Sequence, residues 1–210
     1  MSEENSSAAS GNTNRDRSII NFLYEVGTMR RLPRMHRQVL LNDDMTDTIA
    51  SHSYRVSVIA WFLAKIEGAD LYKTLTMGLF HDVAEARTGD HNWLHKKYVK
   101  TNEDEVLEDQ LGGLPFPDLK ELMDEYEKRE SKEAIIAKQA DILDQIFLLR
   151  EYEWQGNKEA MIWLYGKEGS EKGAQQLKKL TLPSAIELGK MIYEVAPSEW
   201  WDSLWTSKNR

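Results

Sequence analysis

Phe80-His81-Asp82-Val83-Ala84-Glu85-Ala86-Arg87-Thr88-Gly89-Asp90 places three acidic side chains and an imidazole close together inside an apolar-periodic segment. Leu71, Leu75, Leu79 and Val83 set a helical register here, Asp70 can cap its start, and Gly89 can end it. On one continuous helix His81 and Glu85 share a face, and Asp82 stands about 100° around from His81. Adjacent polar groups in such a helix are costly to bury without a partner, and a cation would supply one. A bare His-Asp pair is nevertheless common, and a solvated polar helix end is the plainer reading of these residues taken alone.

Working outward, two further residues extend the pattern. His52 stands in the first turns of an amphipathic helix that begins near Ile49, capped by Asp47 or Thr48, with Val56 following on its face. Asp141 interrupts the apolar register of Ile136, Ala140 and Leu143, where a simple salt bridge to Lys138 is the alternative. Between Gly27 and Gln38 the chain carries Arg30, Arg31, Arg34, His36 and Arg37 without one acidic residue, which reads equally as an anion site or a surface strip.

The periodicity is helical throughout, and the chain is expected to be all-α, a single-domain helical bundle. Residues 1–17 are rich in Ser, Asn and Gly and read as a disordered leader, 18–195 as the folded domain, and 196–210 as a Trp-rich tail. Further helices are expected at Trp93 to Val99, Glu103 to Leu111, 118–129, 131–155, 157–167, 171–180 and 183–195. A chain of 210 residues is long enough to bury about two-thirds of its unfolded surface. No apolar run approaches the roughly 20 residues of a membrane helix, so a soluble cytoplasmic protein is expected. With no cysteine, a metal would be bound through nitrogen and oxygen. A net charge of −8 argues against a footprint for duplex nucleic acid.

The order His…His-Asp…Asp on successive helices makes the reading specific. With Val26-Gly27, Arg31-Leu32-Pro33-Arg34, Ser51-His52-Ser53, Arg55-Val56, His81-Asp82-x-x-Glu85, Thr88-Gly89-Asp90 and Ala140-Asp141, the chain resembles the HD-domain metal-dependent phosphohydrolases. It is similar in particular to their 5′-deoxynucleotidase branch, from about Ile19 to about Tyr152. The resemblance implies a helical fold of the HD-domain type and one divalent ion (Mn, Co, Fe, Zn or Mg) held by His52, His81, Asp82 and Asp141. It implies Glu85 as acid/base, Asp90 on the substrate side, Arg34 on a phosphate with help from Arg31, and a homodimer. Lys96 is a further candidate phosphate contact, with a solvated lysine as its alternative. The substrate class expected is a (deoxy)nucleoside 5′-monophosphate. A triphosphate or other phosphate ester, or a non-catalytic ligand-binding domain, are the competing readings. The branch often has an aromatic residue after or near that arginine, whereas this chain reads Met35-His36-Arg37. His91 and His95, four apart, could also form a second metal site, although a pocket rim is the simpler role.

Overall fold

The computed structural model describes residues 2–168, 176–205 and 208, with side chains from residue 12 onward. It is all-α, and no strand occurs among the described residues apart from an isolated bridge between Pro33 and Thr48. The central helix is α9 (Lys132–Trp154), which packs against α3 (Ile49–Glu67), α4 (Leu71–Phe80), α8 (Asp118–Lys128), α10 (Lys158–Tyr165) and α11 (Pro183–Glu194). Its apolar residues occupy more than one face, as expected of a helix enclosed by neighbours. Ile136, Ala140, Leu143 and Ile146 join Val56, Ala60 and Leu63 of α3 in one core, and Ala134 and Ala137 join Met77, Met123 and Tyr126 in another.

Local chemistry explains where the helices begin. Thr48 and Ser51 form a reciprocal capping box at the start of α3, so Thr48 and not Asp47 is the cap. Asp70, Ser131 and Asn157 accept backbone N–H groups at the starts of α4, α9 and α10. Gly68, with φ of +66°, ends α3 in the left-handed conformation that glycine adopts without steric cost. Gly78 lets α3 and α4 approach closely: a Cβ there would lie 3.3 Å from both Ala60 Cβ and Ser57 Cα. That approach brings the His52 and His81 segments together.

The structure departs from the expected elements in four places. The helix expected to run from Asp70 to Gly89 is interrupted: α4 ends at Phe80, residues 81–84 form turns, and α5 (Glu85–Thr88) follows. The bonds Val83 N–H to Phe80 O and Glu85 N–H to Asp82 O, at 2.9 and 3.0 Å, span three residues rather than four. That tighter winding changes the direction of successive side chains. Next, the segment expected as a disordered leader lies within α1 (Ser2–Val26), where Asn12 to Arg17 are all exposed. The helix expected at 171–180 falls partly outside the described residues, and its remainder holds only a 3-10 turn, Leu177–Lys179. Finally, a short α2 (His36–Leu40), unforeseen in the sequence, occupies part of the basic segment. The small helices α6 (Trp93–Lys96), α7 (Glu103–Leu111) and α12 (Glu199–Asp202) complete the order, the last within the expected tail.

Candidate metal centre and substrate cavity

His52 is buried in the second turn of α3, and its Nδ1 lies 2.6 Å from Asp144 Oδ2. The carboxylate can only accept here, so Nδ1 carries the proton and Nε2 faces the other way. His81, at the end of α4, donates its Nδ1–H to Gly78 O at 2.9 Å, which leaves its Nε2 as the free nitrogen in the neutral ring. The two Nε2 atoms face each other at 3.2 Å. Asp82 Oδ2 lies 3.4 Å from His52 Nε2 and 3.1 Å from His81 Nε2. Asp141 Oδ1 lies 3.4 and 3.9 Å from the same atoms.

Four lone-pair donors thus converge while the ring protons point outward. Ligands about 2.0–2.2 Å from a metal stand roughly 3.0–3.5 Å apart in octahedral or tetrahedral arrangements, which the observed separations approach. The donor atoms of His52, His81 and Asp141 all lie within 4.8 Å of one another, and Asp82 Oδ2 comes as close to both imidazoles. Electrostatics point the same way. Burial and the Arg34 charge oppose a proton on His52, yet Asp141, Asp144 and Asp82 outweigh them and lift its pKa well above the ordinary value. Burial opposes ionisation of Asp82 and Asp141, but His81 and His52 beside the first, and Lys138 and His52 beside the second, hold both carboxyls well below the usual range. The position attracts positive charge, and the donor set fits a divalent cation.

The chain pairing Pro33 with Thr48 carries Arg34 to the same place. Arg34 N–H donates to Asp47 O at 2.8 Å, and Ile49 N–H to Leu32 O at 3.0 Å. The guanidinium is buried, with Nη1 3.7 Å from Asp144 and lacking any hydrogen-bond partner. Burial alone would lower its pKa, but Asp82, Asp141, Asp90 and Asp144 more than compensate and keep it charged. Asp90 accepts the Met35 backbone N–H, and Asn92 donates to Met35 O at 2.8 Å, so this pair clamps the arginine segment over the centre.

A cavity of about 820 Å³ opens above these groups, within the range of small-molecule sites. Arg34, Asp82, Glu85, Asp90, Lys96 and Asp141 line it, so these expected site residues are brought together. His52 and His81 lie behind its lining, with their Nε2 atoms 3.4 and 3.1 Å from Asp82 Oδ2. Arg31 is not brought there: it is exposed at the end of the 3-10 turn Gly27–Arg31, which corrects its expected substrate contact. Arg37 turns toward Asp43 instead, at 3.8 Å. His91 reaches the cavity and stacks edge-on with His95 at 5.7 Å, but no carboxylate among the described residues completes a metal cluster with them.

Glu85 stands beside the centre on α5. Burial, followed by the charges of Asp82 and Asp90, pushes its carboxyl up to about 10, against the opposing pull of Arg34 and Lys96. Sequence reasoning missed Asp144, which receives His52 Nδ1–H, Arg55 Nε–H and the Arg34 charge. Its only sequence signal was a second carboxylate three residues after Asp141 in an apolar helix. An Asp144→Asn substitution is expected to weaken Mn²⁺ binding tenfold to a hundredfold, since it removes the charge that fixes the His52 tautomer. Calorimetric titration with Mn²⁺ checks this, and unchanged affinity would remove the orienting role.

A helical bundle that brings together a histidine of α3, a histidine and aspartate from the turn after α4 and an aspartate of α9, beneath a cavity with a buried arginine, defines a class of metal-centred hydrolases. The chain belongs to the HD domain family, whose model matches residues 29–180. It is 32% identical over 143 residues to 5′-deoxynucleotidase HDDC2 of Homo sapiens, covering 65% of this chain and 69% of that one. The protein of the same name from Bos taurus is 31% identical over 148 residues, covering 68% and 71%. Among solved structures, a conserved hypothetical protein from Pyrococcus furiosus aligns with a TM-score of 0.65 at 28% identity, covering 84% of this chain and 99% of that chain.

Proposed function

We propose that this HD-domain phosphohydrolase converts (deoxy)nucleoside 5′-monophosphates to nucleoside and inorganic phosphate, using one divalent cation held by His52, His81, Asp82 and Asp141. The observation that carries the proposal is the convergence of four lone-pair donors, at 3.1 to 3.9 Å across the imidazole nitrogens, under the unpartnered Arg34 Nη1. When bound, such a cation acidifies water and draws charge from a phosphoryl oxygen. The names of the similar 5′-deoxynucleotidases support the substrate class.

The chain's own residues supply the rest. Arg34 Nη1 donates to a phosphate oxygen and neutralises charge that grows on the equatorial oxygens as phosphorus is attacked. Glu85 takes the proton of the attacking water and returns it to the departing 5′ oxygen, so the P–O bond breaks as the new one forms. Asp90 acts by holding the Arg34 segment in place, and Lys96 stands at the rim as a further phosphate contact.

Charge balance separates a monophosphate from a triphosphate. Arg34, Lys96, Lys138 and Lys179 line the cavity together with Asp82, Glu85, Asp90 and Asp141, so the formal charges cancel. A divalent cation then leaves two positive charges, which match a phosphate monoester dianion. A triphosphate would overfill the site with negative charge, although the three lysines favour it as the second reading. Incubation of Mn²⁺-, Co²⁺-, Fe²⁺-, Zn²⁺- or Mg²⁺-loaded protein with mono- and triphosphates decides the matter. Inorganic phosphate released from monophosphates is expected, and release only of pyrophosphate or triphosphate would overturn it.

The same proposal includes a cytoplasmic homodimer. No helix among the described residues is long and apolar enough to cross a membrane. Trp61, Phe62 and Ile66 of α3 are 38, 54 and 61% exposed, and an apolar face of this kind is supplied with a partner by a second copy. Sedimentation at micromolar concentration tests the dimer.

A further inference from the structure

We propose that the indole of Trp93 is the platform on which the nucleobase of the substrate stacks, so that the protein favours monophosphates carrying an aromatic base over base-free sugar phosphates. The inference rests on the reading of the cavity as a nucleoside monophosphate site.

Two indoles line the cavity, Trp93 and Trp163, and their surroundings differ. Trp163 is buried in the core around α9 and meets the His36 ring edge-on at 6.0 Å, so its ring is already packed. Trp93, the first residue of α6, is 53% exposed, and its indole makes no ring contact or hydrogen bond with another described residue. A single exposed tryptophan elsewhere on the surface needs no explanation. One that also lines a cavity stands at its mouth with apolar area left to cover, and an indole is among the largest such areas a side chain offers.

The backbone fixes where that ring stands. Asn92 is fully buried and bonds in both directions. Its side-chain oxygen accepts the Leu94 and His95 N–H groups at 3.0 and 3.1 Å, which starts α6, and its Nδ2 donates to Met35 O at 2.8 Å and Gln38 Oε1 at 2.9 Å. Asp90 accepts the Met35 N–H. Trp93 therefore follows directly on a residue that is bonded to the neighbour of Arg34. The arginine proposed to hold phosphate and the ring proposed to hold the base are mounted on one hydrogen-bonded unit, and the fold sets their separation. Lys96, three residues on along the same face of α6, also lines the cavity, and its charge acts on the Glu85 carboxyl, so this face borders the reacting end as well. With phosphate held at the buried Arg34, the rest of a nucleotide extends toward the mouth, where Trp93 stands.

Stacking is the interaction such a ring supplies. Every base has a π face, so the contact requires no particular hydrogen-bonding edge, and losing one base–aromatic stack costs about fivefold to a hundredfold in affinity. The base is remote from the phosphorus under attack, so the contact is the same in ground and transition states and its removal falls on KM rather than kcat.

The test compares deoxyadenosine 5′-monophosphate with deoxyribose 5-phosphate as substrates of the Mn²⁺-loaded protein. Trp93→Ala is expected to lower the ratio of their kcat/KM values about fivefold to a hundredfold, through the KM of the nucleotide, and Trp93→Phe, which keeps an aromatic face, is expected to restore most of it. Titration with deoxyadenosine is expected to quench part of the tryptophan emission of the parent saturably, and that part is expected to be lost in Trp93→Phe. A ratio unchanged in Trp93→Ala, or quenching of equal amplitude in parent and Trp93→Phe, overturns the platform while leaving the monophosphate reading intact. No phosphate from the nucleotide overturns the monophosphate reading, and the deoxyadenosine titration then decides the platform alone: quenching that depends on Trp93 supports it, and the absence of such quenching overturns it.

Discussion

An Asp141→Ala variant is expected to lose at least about a thousandfold in kcat/KM for phosphate release, because several kcal/mol of charge stabilisation depends on a correctly held cation. Asp141 Oδ1 stands 3.4 and 3.9 Å from the two imidazole nitrogens, and Lys138 Nζ, 2.7 Å from Oδ2, fixes the carboxylate in that orientation. Removing the carboxylate takes away a donor atom and a negative charge together, so Mn²⁺ affinity measured by calorimetry falls as well. Adding Asp82→Ala to Asp141→Ala is expected to cost little more turnover, since residues that act through one ion are strongly non-additive. Turnover within tenfold of the parent, with unchanged Mn²⁺ affinity, would remove Asp141 from the centre. The helical circular dichroism spectrum of each variant separates loss of the site from loss of the fold.

The all-α architecture was legible because the evidence for it is local: apolar spacing, with Asp70 and Thr48 as caps. The segment at His81 was misread as continuous helix because periodicity records which residues face the core and is blind to winding. Val83 remains buried after the tightened turn, so the apolar pattern is the same in both conformations. The cluster of His52, His81, Asp82 and Asp141 could be anticipated only through the order of its residues along the chain. Nothing in their local composition tells whether three helices bring them together. Asp144 was beyond reach for the same reason, since its role depends on a partner 92 residues away. Arg31 and Arg34 show the limit in reverse. They are three residues apart in one basic segment, yet one is exposed and the other buried among four carboxylates.

The central helix explains why the centre and the cavity wall come as one unit. Its face bearing Lys138, Asp141 and Gln145 lines the cavity, while Asp144, a further 100° around from Gln145, reaches His52 on α3. One rigid element therefore supplies a proposed ligand, the group that orients another ligand, and a residue that lines the cavity. Sites mounted on packed helices hold their geometry better than sites on loops. The arginine segment lacks such a scaffold, and its clamps to Asp90, Asn92 and Asp47 compensate.

Glu85→Gln is expected to lower turnover about a hundredfold to ten-thousandfold, the usual worth of a positioned proton carrier, and to stabilise the metal-free fold at neutral pH. The second effect follows from proton linkage. The ordinary carboxyl titrates near 4.5, whereas burial with Asp82 and Asp90 alongside pushes Glu85 up to about 10 in the fold. Between those values the folded chain holds a proton that the unfolded chain has released. The associated stability is complete below pH 4.5 and declines as pH rises toward about 10. Glutamine, always neutral, escapes that decline. In chelator, the thermal unfolding midpoints of parent and variant are therefore expected to coincide near pH 4 and to separate at pH 8, with the variant higher. Saturating Mn²⁺ is expected to narrow the gap, because a nearby cation lets the parent carboxyl ionise in place. Equal midpoints at pH 8 in chelator would show that Glu85 meets no such cost, and turnover unchanged by the substitution would take the proton-transfer role away from it.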